Sequence, residues 1–312
     1  MIAKAESEAT TSIDPQRAGR LMRVATYASV TVASILIVVK LTGWLMTDSV
    51  AILSSLVDSI LDAGASIINL LAVRHALTPA DREHRFGHGK AEALAGLAQA
   101  AFIAGSAVFL LFQAGERLID PRLPVQSEVG IAIILFSIVL TLGLVAFQMF
   151  VVRRTGSVAI SADSLHYRSD LLMNIGVIAA LVLTAWFGLA FIDPLFAAAI
   201  AAYILYGAVQ IFRGAIDPLM DRELPDDQRA RIQEIALAHP EVLSLHDLRT
   251  RSSGVQTFIQ LHLVLDPDMR LIKAHEIADE VEASIMAAFP GAEVIIHQDP
   301  DGIEEPHTAF GG

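Results

Sequence analysis

The stretch Leu56-Val-Asp-Ser-Ile-Leu-Asp62 lies inside a long apolar run, between Ala51-Ile-Leu-Ser-Ser and Ala63-Gly-Ala-Ser-Ile-Ile-Asn-Leu-Leu. Runs of this length reach across a hydrocarbon core of roughly 30 Å, which a helix spans with about 20 apolar residues. Two carboxylates in such a segment each cost about 2.5–3.5 kcal/mol near the helix centre. Asp58 and Asp62 are four apart, so they share a helix face and repel each other unless a positive charge intervenes. Lys40, in the preceding apolar run, is the only basic side chain offered by a span centre; a bound cation is the other solution.

Working outward, 54% of the 312 residues are hydrophobic, well above an ordinary soluble domain. Six candidate spans precede residue 214, near 22–46, 50–76, 91–114, 128–152, 157–187 and 190–212. The fifth opens on a polar approach, Ser161-Ala-Asp-Ser-Leu-His-Tyr-Arg-Ser-Asp170. Arg17, Arg20, Arg23, Arg74, Arg82, Arg85, Lys90, Arg153, Arg154 and Arg213 fall on the side of both termini, which predicts cytoplasmic ends. The polar N-terminus lacks the basic-then-apolar order of a signal peptide.

The net charge of −12 resides in residues 214–312, which hold 19 acidic and 7 basic residues. An acidic segment argues against a nucleic-acid partner, which needs a basic surface. Cysteine is absent, so metal sites must be built from carboxylate and imidazole. Leu224-Pro225-Asp226-Asp227 carries Pro and acids suited to a first helical turn, and Ile232, Ile235 and Ala236 recur at helical spacing; Val242–Arg251 and Thr257–Leu265 read as strands, Ile272–Phe289 as a helix, Ala292–His297 as a strand. The expected organisation is a flexible N-terminus at 1–20, a six-helix membrane bundle at 21–213, a small αββαβ domain at 214–300, and a disordered tail at 301–312.

The fifth span offers a second i,i+4 pair, His166 and Asp170. Together with Asp58 and Asp62 it gives three carboxylates and one imidazole, enough for the tetrahedral shell that Zn²⁺ prefers. Protons compete for all four ligands, as a proton-coupled exchanger requires. Asp163 is read as lining of the vestibule, and Asn69 and Asn174 as hydrogen bonds between helices. Between spans two and three, Asp81, His84 and His88 have metal-ligand spacing, with Arg82 and Arg85 opposing a cation; spacing alone leaves a structural and a metal reading open. In the acidic domain, His246, His262, His275, His297 and Asp299 make a second cation site plausible without fixing which of them pair. His239, before Pro240, is set aside.

Leu56-Val-Asp-Ser-Ile-Leu-Asp62, Phe86-Gly-His-Gly-Lys-Ala-Glu92, Asp163-Ser-Leu-His-Tyr-Arg-Ser-Asp170, His246-Asp-Leu-Arg-Thr-Arg251 and Ile295-Ile-His-Gln-Asp-Pro300 together resemble the cation diffusion facilitator family, in its bacterial zinc and ferrous-iron efflux type. The resemblance implies a homodimer in the inner membrane that exports zinc, with Fe²⁺ or Cd²⁺ as further substrates, in exchange for protons by alternating access. It implies a transport site at Asp58, Asp62, His166 and Asp170, a loop site at Asp81, His84 and His88, and a two-metal cluster at His246, His262, His275, His297 and Asp299 in a metallochaperone-like cytoplasmic domain. It further implies a dimer-locking pair, Lys90 and Asp221, and a hydrophobic gate at Leu165. An enzyme is not expected: His-Glu-x-x-His is missing from the sequence. A membrane-bound metal sensor is the alternative, and it leaves Asp58 and Asp62 without a role.

Overall fold

The computed structural model describes residues 14–119, 128–187 and 192–303. The expectations for residues 1–13 and for the tail beyond 303, and the loops at 120–127 and 188–191 used for orientation, lie outside the described residues.

Six long helices come first: α1 (Pro15–Thr47), α2 (Val50–Ala76), α3 (Lys90–Ile119), α4 (Glu128–Thr155), α5 (Val158–Phe187) and α6 (Ile192–Leu219). Two ends differ from expectation. Residues 15–20 are helical rather than flexible, because Pro15 supplies the fixed φ that suits a first helical position. Beyond Arg213, α6 continues to Leu219, past Pro218. The chain divides into two compact units, with the boundary between Leu219 and Met220.

Among the described residues, five helices are long and apolar enough to cross a membrane by length and composition: Pro15–Thr47, Ile52–Ala76, Lys90–Glu116, Glu128–Thr155 and Pro194–Leu219. Their outward residues include Val38, Phe109, Phe112 and Val139, all exposed and apolar, as a lipid-facing surface must be. The remaining helix, α5, carries Asp163, His166, Arg168 and Asp170 in its first half. It can do so because it is the helix the others surround. Leu165 packs with Ile103 and Ala107 of α3 and Ile204 and Ala208 of α6. Tyr167 packs with Leu144 and Val145 of α4, against Ala28 and Val32 of α1. Small residues permit these approaches: a Cβ at Gly96 would meet Val158 Cγ1 at 2.7 Å.

The second unit has the order α7 (Asp226–Leu237), β1 (Ser244–Ser253), β2 (Gln256–Leu265), α8 (Leu271–Ala288), β3 (Ala292–Pro300). β1 and β2 form an antiparallel hairpin, and β3 returns parallel to β2 after the α8 crossover. The expected αββαβ order is therefore present as one three-stranded sheet, β1-β2-β3. Ile259, Leu261, Leu263 and Leu265 alternate along β2 and pack with Ile232 of α7 and Ile277, Val281 and Ile285 of α8. That commits the opposite face of β2 to Gln260, His262 and Val264. A bulge between His246 and Arg249, with Asp247 at φ 49°, resets the alternation of β1 so that Leu248 also enters the core.

Candidate metal centre

Three groups of carboxylate and imidazole have donor atoms within 4.8 Å of one another among the described residues. The first bridges α2 and α5. His166 Nε2 lies 2.9 Å from Asp62 Oδ1 and 3.8 Å from Asp170 Oδ2. The i,i+4 spacing of His166 and Asp170 turns both toward Asp62. Asp58, one turn before Asp62 on α2, is exposed and stands outside this trio. It lines the same cavity of about 370 Å³ as Lys40, Asp62, His166, Asp170 and Asn174. Lys40 Nζ donates to Ser55 O (3.1 Å) and Ser59 Oγ (2.6 Å) on α2.

A second polar network lies one turn earlier on α5, and it corrects the vestibule reading of Asp163. That side chain is fully buried. Its carboxylate accepts from Ser29 Oγ of α1 (2.5 Å), Gln148 Nε2 of α4 (2.7 Å) and Gln99 Nε2 of α3 (3.4 Å). Beside it, Tyr167 Oη donates to Ser29 O (3.2 Å) and shares a hydrogen bond with Ser66 Oγ of α2 (2.9 Å). Asn69 Nδ2 donates to Ala159 O across the same pair of helices (3.4 Å), the role expected for it. Ser29, Gln99 and Gln148 were missed in the sequence. Their signal is polarity inside apolar spans, which becomes specific only when the helices meet. Arg168, in the polar approach of the fifth span, hydrogen-bonds and stacks on Tyr203 of α6.

The loop group follows from local turns. Asp81 Oδ1 accepts the backbone N–H groups of Glu83 (2.9 Å) and His84 (2.6 Å). The His84 N–H, foremost, holds the Asp81 carboxyl below its ordinary value, so it is an anion at neutral pH. His84 Nδ1 is 3.5 Å from Asp81 Oδ1, and His88 Nε2 is 3.4 Å from Asp81 Oδ2. Gly87 takes φ 75°, which lets the chain turn between the two histidines.

The third group is made by sheet register. His246 pairs with His262 across the antiparallel edge, and His262 with His297 across the parallel one. Three imidazoles thus form one row across the face opposite the helices. Asp299, two residues beyond His297, falls on that same face and is 5% exposed. Its carboxylate lies 2.8 Å from His262 Nδ1, 3.3 Å from His246 Nε2 and 3.1 Å from His297 Nε2. His246 and His262 flank Asp299 Oδ2 and these three make up the compact donor group, a set that fits a divalent zinc-class ion, while the exposed His297 lies on Oδ1 beside it. His275, on α8, is exposed and pairs with Asp279 (3.6 Å); it is not in this group. His239 sits 3.2 Å from Glu280.

Of the remaining expected positions, Leu165 is 4% exposed in the α3–α5–α6 core. Lys90 opens α3, followed by Glu92, which is buried and accepts the N–H of Ala159 at the start of α5 (3.5 Å). Asp221 has φ 54° and lies 3.6 Å from Arg251 of β1.

These features can be compared with known proteins. The family model described as "Cation efflux transmembrane domain" matches residues 26–220, and "Cation efflux protein, cytoplasmic domain" matches residues 224–301. The "Cation-efflux pump FieF" of Cronobacter sakazakii is 50% identical over 90% of this chain and 94% of its own. That of Klebsiella pneumoniae is 49% identical over 92% and 96%. A solved structure of CzrB is 36% identical over 25% of this chain and 99% of that one, with a TM-score of 0.25. The chain is a multi-pass membrane protein and belongs to the cation diffusion facilitator family of cation efflux transporters.

Proposed function

We propose that this protein exports a divalent transition-metal ion, zinc first and Fe²⁺ or Cd²⁺ besides, from the cytoplasm across the inner membrane in exchange for protons. The observation that carries the reading is the trio Asp62, His166 and Asp170, with donor atoms within 4.8 Å of one another between two membrane helices. Asp58, on the wall of the same cavity, supplies the fourth ligand when α2 and α5 shift during alternating access. Four N/O donors suit a tetrahedral ion and leave Mg²⁺ and Ca²⁺, which take six or more oxygens, short of ligands. Each donor also takes a proton, so metal release and protonation are linked at the same atoms. Leu165, packed one residue before His166, closes the apolar path on one side of the site.

In the acidic unit, His246, His262, His297 and Asp299 would hold a resident zinc-class ion. Exposed on α8, His275 is available to a second copy of the chain, consistent with a homodimer joined through this unit, and Lys90 with Asp221 would fasten the membrane halves. Both termini are assigned to the cytoplasm from the basic residues beside α1, α2 and α4.

The test is purified protein in proteoliposomes with a zinc gradient, following zinc with one dye and lumenal pH with another. Wild type should move both, and Asp62→Ala should abolish both together. Zinc flux without a pH change would remove the exchange; normal flux in the variant would remove the site. A membrane-bound sensor would give no flux in either protein.

A further inference from the structure

The last turn of α2 brings to the loop group a histidine that the loop's own spacing does not contain. The ring centroid of His75 is 4.6 Å from that of His88. On its other flank, His88 is 4.7 Å from His84. His88 therefore stands between two imidazoles, while its Nε2 faces Asp81 Oδ2 at 3.4 Å. Its side chain is only 7% exposed. Its Nδ1 is buried and has no hydrogen-bond partner among the described residues. A buried ring nitrogen left without a partner is costly, and a cation coordinated at that Nδ1, with Nε2–H turned to Asp81, removes that cost.

Asp81, His84 and His88 supply one oxygen and two nitrogens, one ligand short of a closed tetrahedral shell. His75 is outside the compact trio and exposed, so its ring can approach by a rotamer change. Its backbone is fixed: Thr78 donates to the His75 carbonyl from both N (3.0 Å) and Oγ1 (2.6 Å). The exposed cations of Arg82 and Arg85 oppose an ion here, which makes a three-ligand site weak and a fourth ligand valuable.

We propose that His75 is the fourth ligand of the loop site, and that a zinc-class ion held there fastens the loop to the end of α2, the helix that carries Asp58 and Asp62. The proposal rests on the reading that Asp81, His84 and His88 bind metal. Loop metal then restrains the helix that must move in transport.

The experiment uses the full chain in detergent. Asp62→Asn with His166→Ala, and His262→Ala with Asp299→Asn, remove the other two groups, and zinc is titrated against a chelator. His75→Gln and His88→Ala should each weaken the remaining site about tenfold or more. The double variant should be little weaker than His88→Ala, because ligands of one ion couple. X-ray absorption at the zinc edge should count one imidazole fewer in His75→Gln. An affinity within twofold of the parent in His75→Gln, beside a large loss in His88→Ala, overturns the fourth ligand alone. No loss in either variant overturns the loop site as well.

Discussion

Asp62 Oδ1 and His166 Nε2 lie 2.9 Å apart, joining α2 to α5 across 104 positions of sequence. The contact is one of a series along the same seam. Ser66 meets Tyr167 and Asn69 meets the Ala159 carbonyl. Positions 62, 66 and 69 follow the i, i+4, i+7 stripe of a helix, and Asp58 extends it by one turn. α2 therefore turns a polar stripe to α5 and Ser59 to Lys40 of α1, an arrangement that hydrocarbon permits only when the polar groups find partners.

Zinc loading of this seam should fall as the pH is lowered. The metal needs the deprotonated donors, so binding is complete on the alkaline side and is lost as protons take the imidazole and carboxylates. Equilibrium dialysis of the full-length protein carrying His262→Ala, Asp299→Asn and His88→Ala, from about pH 8 to about pH 6, where free imidazole gains its proton, should show the decline. Constant occupancy over that range would contradict proton competition.

Asp163 should be a stability residue whose acceptor atoms matter more than its charge. Asp163→Ala removes the shared acceptor of Ser29, Gln99 and Gln148, although Ser29 can still donate to the Ala25 carbonyl (3.1 Å) and Gln148 to Ser29 Oγ (2.9 Å). Each stranded buried donor costs about 1–3 kcal/mol in water-soluble proteins, and membrane hydrogen bonds average about 0.6 kcal/mol, so a loss of roughly 2 kcal/mol is expected. Asp163→Asn keeps one oxygen for Ser29 and Gln148, and the Gln99 amide can turn to accept. Thermal melts should rank wild type and Asn close together and Ala well below.

Gly207 should tolerate little added volume. A Cβ there would meet Leu165 Cδ1 at 2.8 Å and Cδ2 at 3.0 Å. Those atoms are the tip of a flexible side chain, so Gly207→Ala should be mild. Gly207→Val should cost about 1–3 kcal/mol by overpacking and press on the residue before His166. Zinc uptake into proteoliposomes should fall more steeply for Val than for Ala.

Asp299 should decide whether zinc stabilises the acidic unit. An ion bound only by the folded state at 100 times its dissociation constant adds about 2.7 kcal/mol. Wild type should melt higher with zinc than without. Asp299→Asn loses the one anionic donor among His246, His262 and His297, and its melts with and without zinc should nearly coincide.

The sequence by itself determined whatever depends on near neighbours in the chain. Apolar length marked six long helices, five of them, among the described residues, apolar enough to cross a membrane, and i,i+4 spacing put Asp58 with Asp62 and His166 with Asp170. Period-two alternation put His262 on the polar face of β2, and the αββαβ order followed from local patterns. Only the tertiary structure decided which distant groups meet. It drew Asp62, His166 and Asp170 together and left Asp58 on the cavity wall. It made Asp163 the buried acceptor of three other helices, a role that spacing from His166 could not distinguish from a vestibule position. It aligned His246, His262 and His297 through the parallel return of β3, and it set His75 beside His88. Periodicity fixes which face of an element a residue occupies, but which faces are pressed together is settled by packing and by the need of every buried polar group for a partner.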